Sequence, residues 1–155
     1  MIREANPRDL VEIVMIAKEF AKEVELEKKF GLSWNEDDAL KFLYGAMLYP
    51  HMGLFVDDHN GSFRGILVCD VFRWIFNNSL QVASELILFV RKKYRGTKTA
   101  KMLAETLEEW AKEKKANLIQ AGSVITFKMK ETSRFFEKMG YPHTINTHVK
   151  RLREV

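Results

Sequence analysis

At 155 residues, 46% hydrophobic and 30% charged, the chain is sized for one folded domain and is too apolar for a disordered segment. Its 25 Lys and Arg against 21 Asp and Glu leave a net charge of +4, too small by itself to argue for nucleic-acid binding. A single cysteine, Cys69, excludes an internal disulfide, no apolar run approaches the ~20 residues of a membrane span, and the opening Met1-Ile2-Arg3-Glu4-Ala5-Asn6 lacks a signal peptide's apolar core. A cytoplasmic setting is expected.

Met1–Ala5 reads as a short edge strand. Asn6-Pro7-Arg8-Asp9 then carries helix-start chemistry, with Asn6 as cap and Pro7 at the first helical position. Leu10, Ile13, Val14, Ala17, Phe20 and Val24 recur at helical spacing, so the first helix is expected to run to Gly31. Ser33-Trp34-Asn35-Glu36-Asp37-Asp38 opens a second helix with acids in its first turn, and Pro50 stops it. The two should flank one side of a sheet.

A β-meander follows. Gly53–Asp57 is one strand, and Asp58-His59-Asn60-Gly61 is a hairpin turn because Asn-Gly tolerates the positive φ angles required. Phe63–Phe72 returns, Asn77-Asn78-Ser79 reads as the next turn, and Leu80–Val90 is the third strand, with room for a bulge at Ala83-Ser84-Glu85. A helix with Ala100, Leu103, Ala104, Leu107, Trp110 and Ala111 on one face leads to a short strand, Leu118–Ala121, expected to be parallel and joined by a right-handed crossover. A small helix from Thr132 to Met139 ends at Gly140, and Thr144–Lys150 alternates as a last strand. The order β-α-α-β-β-β-α-β-α-β implies one α+β domain over residues 1–155 with a mixed sheet.

The stretch Glu85–Lys115 organises the rest. An apolar strand feeds the basic turn Arg91-Lys92-Lys93-Tyr94-Arg95-Gly96-Thr97-Lys98, which opens into a helix. The first N–H groups of a helix have no internal partner, and the helix dipole adds positive charge there. Basic side chains at that end oppose the dipole, so the junction calls for an anion such as phosphate.

At this junction Val90-x3-Tyr94-Arg95-Gly96-x3-Ala100-x2-Leu103 resembles the central motif of the GNAT superfamily of acyl-CoA N-acyltransferases, Gln/Arg-x-x-Gly-x-Gly/Ala. Arg95 and Ala100 fill its first and last places, and Lys98 stands where the middle glycine is usual. Downstream, Ser133-Arg134-Phe135-Phe136-Glu137-Lys138-Met139-Gly140-Tyr141 resembles the last-helix signature of that family. The resemblance covers essentially the whole chain and extends to short phage-encoded members.

The resemblance implies acetyl transfer from acetyl-CoA to a primary amine by direct attack in a ternary complex, without a metal. It implies cofactor-binding roles for Leu88, Phe89 and Val90 on a splayed strand, with Phe89 or Val90 N–H meeting pantetheine or the carbonyl. It gives Arg95, Gly96, Thr97, Lys98, Thr99 and Ala100 the pyrophosphate, aided by the Thr99 hydroxyl, with Arg91, Lys92, Lys93 and Lys101 as outer contacts. Glu85, an acid inside an apolar strand whose burial would raise its pKa, is the candidate general base, with substrate binding or a salt bridge as its other roles; Asp70 is a rival.

Phe136 occupies the place of the family's proton-donating tyrosine, so Tyr141, Ser133 or water is left to protonate the departing thiolate. That substitution, with Lys98, also motivates an alternative, a catalytically weak or inactive CoA-binding protein. His143 and His148 lack a third ligand at metal-site spacing, and Cys69 reads as a small buried hydrophobe. Acceptor contacts are expected around Phe30–Trp34, Trp74-Ile75-Phe76 and Ile125–Lys130, where the aromatics suggest an apolar wall, a homodimer contact or ordinary core. Nucleic-acid binding through the basic stretch ranks last.

Overall fold

The computed structural model describes residues 1–122 and 129–144, with Lys150 and Leu152. The expected last strand, Thr144–Lys150, lies almost wholly outside the described residues, as do His148, Phe127 and most of Ile125–Lys130.

Among the described residues five strands form one sheet, in the order β1 (Ile2–Glu4), β2 (Met52–His59), β3 (Ser62–Trp74), β4 (Asn77–Val90) and β5 (Leu118–Gln120). Neighbours are antiparallel except β4 and β5, which run parallel as the crossover requires. The Asn60-Gly61 turn has both residues at positive φ, 55° and 82°, and the Asp58 carboxylate accepts the Gly61 N–H at 2.7 Å.

α1 (Leu10–Glu23) and α3 (Glu36–Leu48) cover one face of the sheet through a core that includes Ile13, Ile16, Leu43, Val56, Ile66 and Val68. α4 (Thr99–Glu113) covers the other through Leu103, Leu107 and Trp110 against Phe55, Leu67 and Cys69. Asn35 caps α3 by accepting the Asp38 N–H at 3.0 Å. A single helical turn at Pro7–Asp9, closed by Asn6 and Asp9, precedes α1.

Three boundaries differ from the sequence expectation. The first helix breaks at Glu25, which adopts a left-handed φ of 54°, and a short α2 (Leu26–Phe30) continues in a new direction. The break brings Leu26 beneath α3, so packing overrides the continuous helical pattern. The β3–β4 turn falls at Ile75-Phe76, ahead of the polar Asn77-Asn78-Ser79, which instead forms an irregularity at the start of β4 where Asn77 accepts the Ser79 N–H at 3.0 Å. α5 (Met129–Lys138) begins before Thr132.

Candidate active site

The bulge in β4 sets the site. Glu85 pairs with Cys69 and Ile87 with Val68, which leaves Leu86 as the extra residue. Leu86 and Ile87 consequently pack on the α1 face, while Glu85 lies opposite Cys69, a residue of the α4-side core. β5 pairs with β4 through Val82, Ala83 and Ser84, and from Glu85 onward that edge of β4 has no neighbouring strand among the described residues.

Strand residues point their N–H groups to alternate edges. The Arg91 N–H donates to the Arg64 carbonyl at 2.9 Å, so the Phe89 N–H also faces β3, and those of Leu88 and Val90 face the open edge. In agreement, the Leu88 N–H is directed at the Glu85 carboxyl, and Arg95 Nε donates to the Val90 carbonyl at 3.1 Å. Of the two donors expected for pantetheine, the backbone turns Val90 and not Phe89 toward the open edge.

A cavity of about 530 Å³ wraps this edge. Phe20 and Glu23 of α1, with Val24 just beyond it, wall one side. Phe135 and Phe136 of α5 wall the other, and Leu88, Phe89 and Val90 form the floor. Arg95, Gly96, Thr97 and Ala100 close the end at the junction, and Glu85 and Gly122 lie at the opposite end of the exposed strand. Nine-tenths of Glu85 is out of water (8% exposed). Burial pushes its carboxyl up to about 7, against the Gly122 and Leu88 N–H groups, which favour the ionised form; Gly122 N lies 3.1 Å from Oε2. A carboxylate near neutrality at the edge of a cavity is suited to accept a proton from an amine or from water.

At the junction Gly96 takes a left-handed φ of 81°. The N–H groups of Arg95, Thr97 and Thr99 are used locally, by Lys92 O, Tyr94 O and Thr97 Oγ1. Those of Gly96, Lys98 and Ala100 have no partner among the described residues. α4 has neither a side-chain cap nor an acid in its first turn, so this end is open to an anion.

Several expected contacts are committed elsewhere. The Thr99 hydroxyl donates to Asp57 at 2.6 Å within the core, facing away from any phosphate at the surface. The Arg91 guanidinium binds Glu12 and Glu19 of α1 at 2.6 and 2.5 Å. Arg95 meets Glu23 through two bonds of 2.7 and 2.6 Å and lies over the Phe89 ring. Lys98 is exposed and absent from the cavity wall.

Tyr141 is also absent from that wall. Its hydroxyl donates to Glu108 at 3.1 Å, and burial, with the Glu108 carboxylate, raises its pKa further. Ser133 donates to Glu137 one turn along α5. Asp70 is pushed up by burial, but it too is outside the cavity. Trp74, Ile75 and Phe76 stand exposed on the β3–β4 arm, again outside it. Sequence reasoning missed Phe20, Glu23 and Gly122, which no local motif distinguishes from ordinary helix and turn residues, and gave no site role to Phe135, although it lies within the last-helix signature. Among the described residues no group of His, Cys, Asp and Glu could hold a metal ion, and no helix is long and apolar enough to cross a membrane.

No curated relative matches the chain. Among solved structures the chain is similar to a transcriptional regulator from Bacillus halodurans C-125, at 19% identity and a TM-score of 0.80 over 98% of this chain and 99% of that one. It is also similar to the aminoglycoside acetyltransferase AAC(6')-Iy in complex with a CoA bisubstrate analogue, at 17% identity and a TM-score of 0.77 over 99% and 97%. A third is a predicted acetyltransferase from Clostridium acetobutylicum with acetyl-CoA, at 14% identity and 0.76 over 97% and 95%. These identities establish a shared fold. The acetyltransferase (GNAT) family model matches residues 14–141, from α1 through the open edge of β4 and the junction to the end of α5. The chain therefore belongs to the GNAT family of acetyltransferases, acyltransferases whose donor is acetyl-CoA.

Proposed function

We propose that the protein transfers the acetyl group of acetyl-CoA to a primary amine held at the open edge of β4, with Glu85 as general base. The observation that carries this reading is a buried carboxyl with a pKa of about 7 at one end of a cavity whose other end is an uncapped helix N-terminus.

The Gly96, Lys98 and Ala100 N–H groups receive the pyrophosphate, and the Val90 N–H meets the pantetheine arm along the open edge. Acetyl-CoA supplies the activated acyl carbon. The acceptor reaches the cavity as an ammonium and must lose a proton before it can attack; Glu85, ionised above about pH 7, takes it directly or through water. As the N–C bond forms the C–S bond breaks. Phe136 has no proton to give, and the Tyr141 hydroxyl is bound to Glu108, so the departing thiolate takes its proton from water.

Isothermal titration with acetyl-CoA, followed by thiol-release assays over an amine, peptide and tRNA panel, tests the reading. Saturable binding and thiol release with an amine are expected. Absence of binding at high micromolar acetyl-CoA refutes it, and binding without transfer to any acceptor favours the binding-only alternative that Phe136 motivates.

A further inference from the structure

The start of α4 is tied to the sheet beneath it by a buried polar contact. Thr99, the first residue of the helix, is 2% exposed, and Asp57 of β2 is 1% exposed. The Thr99 hydroxyl donates to Asp57 Oδ2 at 2.6 Å. Asp57 stands two residues after Phe55 on β2 and so shares its face, the α4 side of the sheet, at a point where the β2–β3 pairing shifts register. Its other oxygen lies 3.0 Å from both His59 Nε2 and the Met1 nitrogen. On β3, Gly65 leaves room for the Thr99 methyl group, which a Cβ at that position would approach to 3.3 Å.

From Thr99 the contacts run outward to the cavity. The Thr97 hydroxyl lies 3.0 Å from the Thr99 hydroxyl and 2.7 Å from the Tyr94 carbonyl, and it accepts the Thr99 N–H at 3.4 Å. Thr99 gives its single hydroxyl proton to Asp57, so toward Thr97 it is an acceptor. Tyr94 and Thr97 line the cavity, whereas Asp57 and Thr99 lie behind it. The series thus spans the turn in which the Gly96 and Lys98 N–H groups, with that of Ala100 beside it, are left for an anion.

Packing alone does not call for this arrangement. A buried carboxylate is costly to desolvate, and apolar side chains of similar volume often serve a core as well or better. A directional bond adds a fixed geometry.

We infer that Asp57 is a positioning residue for the cofactor. Through Thr99 and Thr97 it holds the turn before α4 in the conformation that presents the Gly96, Lys98 and Ala100 N–H groups to the pyrophosphate. The inference rests on the junction being the pyrophosphate seat of acetyl-CoA.

The test compares Thr99→Val, which keeps the volume and removes the hydroxyl, with Thr99→Ser, which keeps the hydroxyl. Calorimetry gives the Kd for acetyl-CoA. Amide-resolved NMR of the ligand-free protein follows Gly96, Lys98 and Ala100, with Leu88 of β4 as the reference. Thr99→Val should weaken acetyl-CoA binding about tenfold, within the range by which side chains without ligand contact alter affinity. It should also shift the three junction amides and leave Leu88 in place, while Thr99→Ser should bind like the natural protein. Asp57→Asn, expected to weaken binding in the same way, takes the place of Thr99→Val if that variant fails to fold by circular dichroism.

Undiminished binding by the folded variant overturns the inference and leaves acetyl-CoA binding standing. Equal weakening in Thr99→Val and Thr99→Ser also overturns it, because the hydroxyl is then not the agent. A shift at Leu88 as large as those at the junction overturns it as well, since that marks a general loosening. No acetyl-CoA binding by the natural protein overturns the proposed function, and this inference with it.

Discussion

Replacing Glu85 with glutamine isolates the group on which the proposed chemistry depends. The glutamate carboxyl moves from an ordinary 4.5 to about 7 on folding because it is buried. At about 1.4 kcal/mol per pH unit, ionising it in place costs about 3 kcal/mol. Between these values the folded protein holds a proton that the unfolded chain has released, so the Glu85 contribution to stability falls as pH rises, and the full cost is reached above about 7.

Glutamine cannot ionise, and its amide oxygen still accepts the Gly122 N–H. Relative to the natural protein, Glu85→Gln should be near neutral at pH 4.5 and about 3 kcal/mol more stable at pH 8, read from urea midpoints. That corresponds to about 6–12 °C in Tm for a chain of this size. The same variant should lose the rising limb of kcat/KM centred near pH 7. Parallel pH–stability curves for the two proteins between pH 4.5 and 8 would refute the burial argument, whatever the activity.

Gly65→Ala places a Cβ 2.6 Å from the Phe89 carbonyl, 3.2 Å from Leu103 and 3.3 Å from Thr99. The backbone oxygen cannot swing aside, so thermal melts should show a loss of about 1–3 kcal/mol, with weaker acetyl-CoA binding as β4 and the start of α4 separate. Thr99→Val removes the donor to buried Asp57, and urea denaturation should report a loss of about 1–3 kcal/mol. Burial opposes ionisation of Asp57, but the Thr99 hydroxyl, the Met1 ammonium and His59 hold its carboxyl below the usual range. The stability Asp57 contributes is present above the unfolded carboxylate value and is lost as pH falls through the native one; in Thr99→Val that loss should begin at higher pH. Gly96→Glu combines a left-handed backbone with negative charge beside the open N–H groups, and calorimetry should show no acetyl-CoA binding.

Much of the molecule was legible from local signals. Asn60-Gly61 specified a hairpin because few other pairs accept two positive φ angles, and Asn6 and Asn35 specified helix starts because their side chains satisfy unpaired N–H groups. The junction was legible for the same reason: a basic turn opening an uncapped helix is a property of consecutive residues. Glu85 stood out as an acid within an apolar strand, and burial alone gives it a pKa near neutrality.

Other outcomes depended on partners far away in the chain, which no local pattern encodes. Arg91 and Arg95 look like phosphate ligands until α1 brings Glu12, Glu19 and Glu23 against them, 72 to 79 residues distant. Thr99 turns inward because Asp57 waits beneath it, and Tyr141 is drawn to Glu108 on α4. The sequence by itself thus determined most of the elements, the family resemblance and the basic turn that opens α4, because each is carried by residues close together in the chain. Tertiary structure decided which charges remain for a ligand and which N–H groups face it, because both depend on packing between elements.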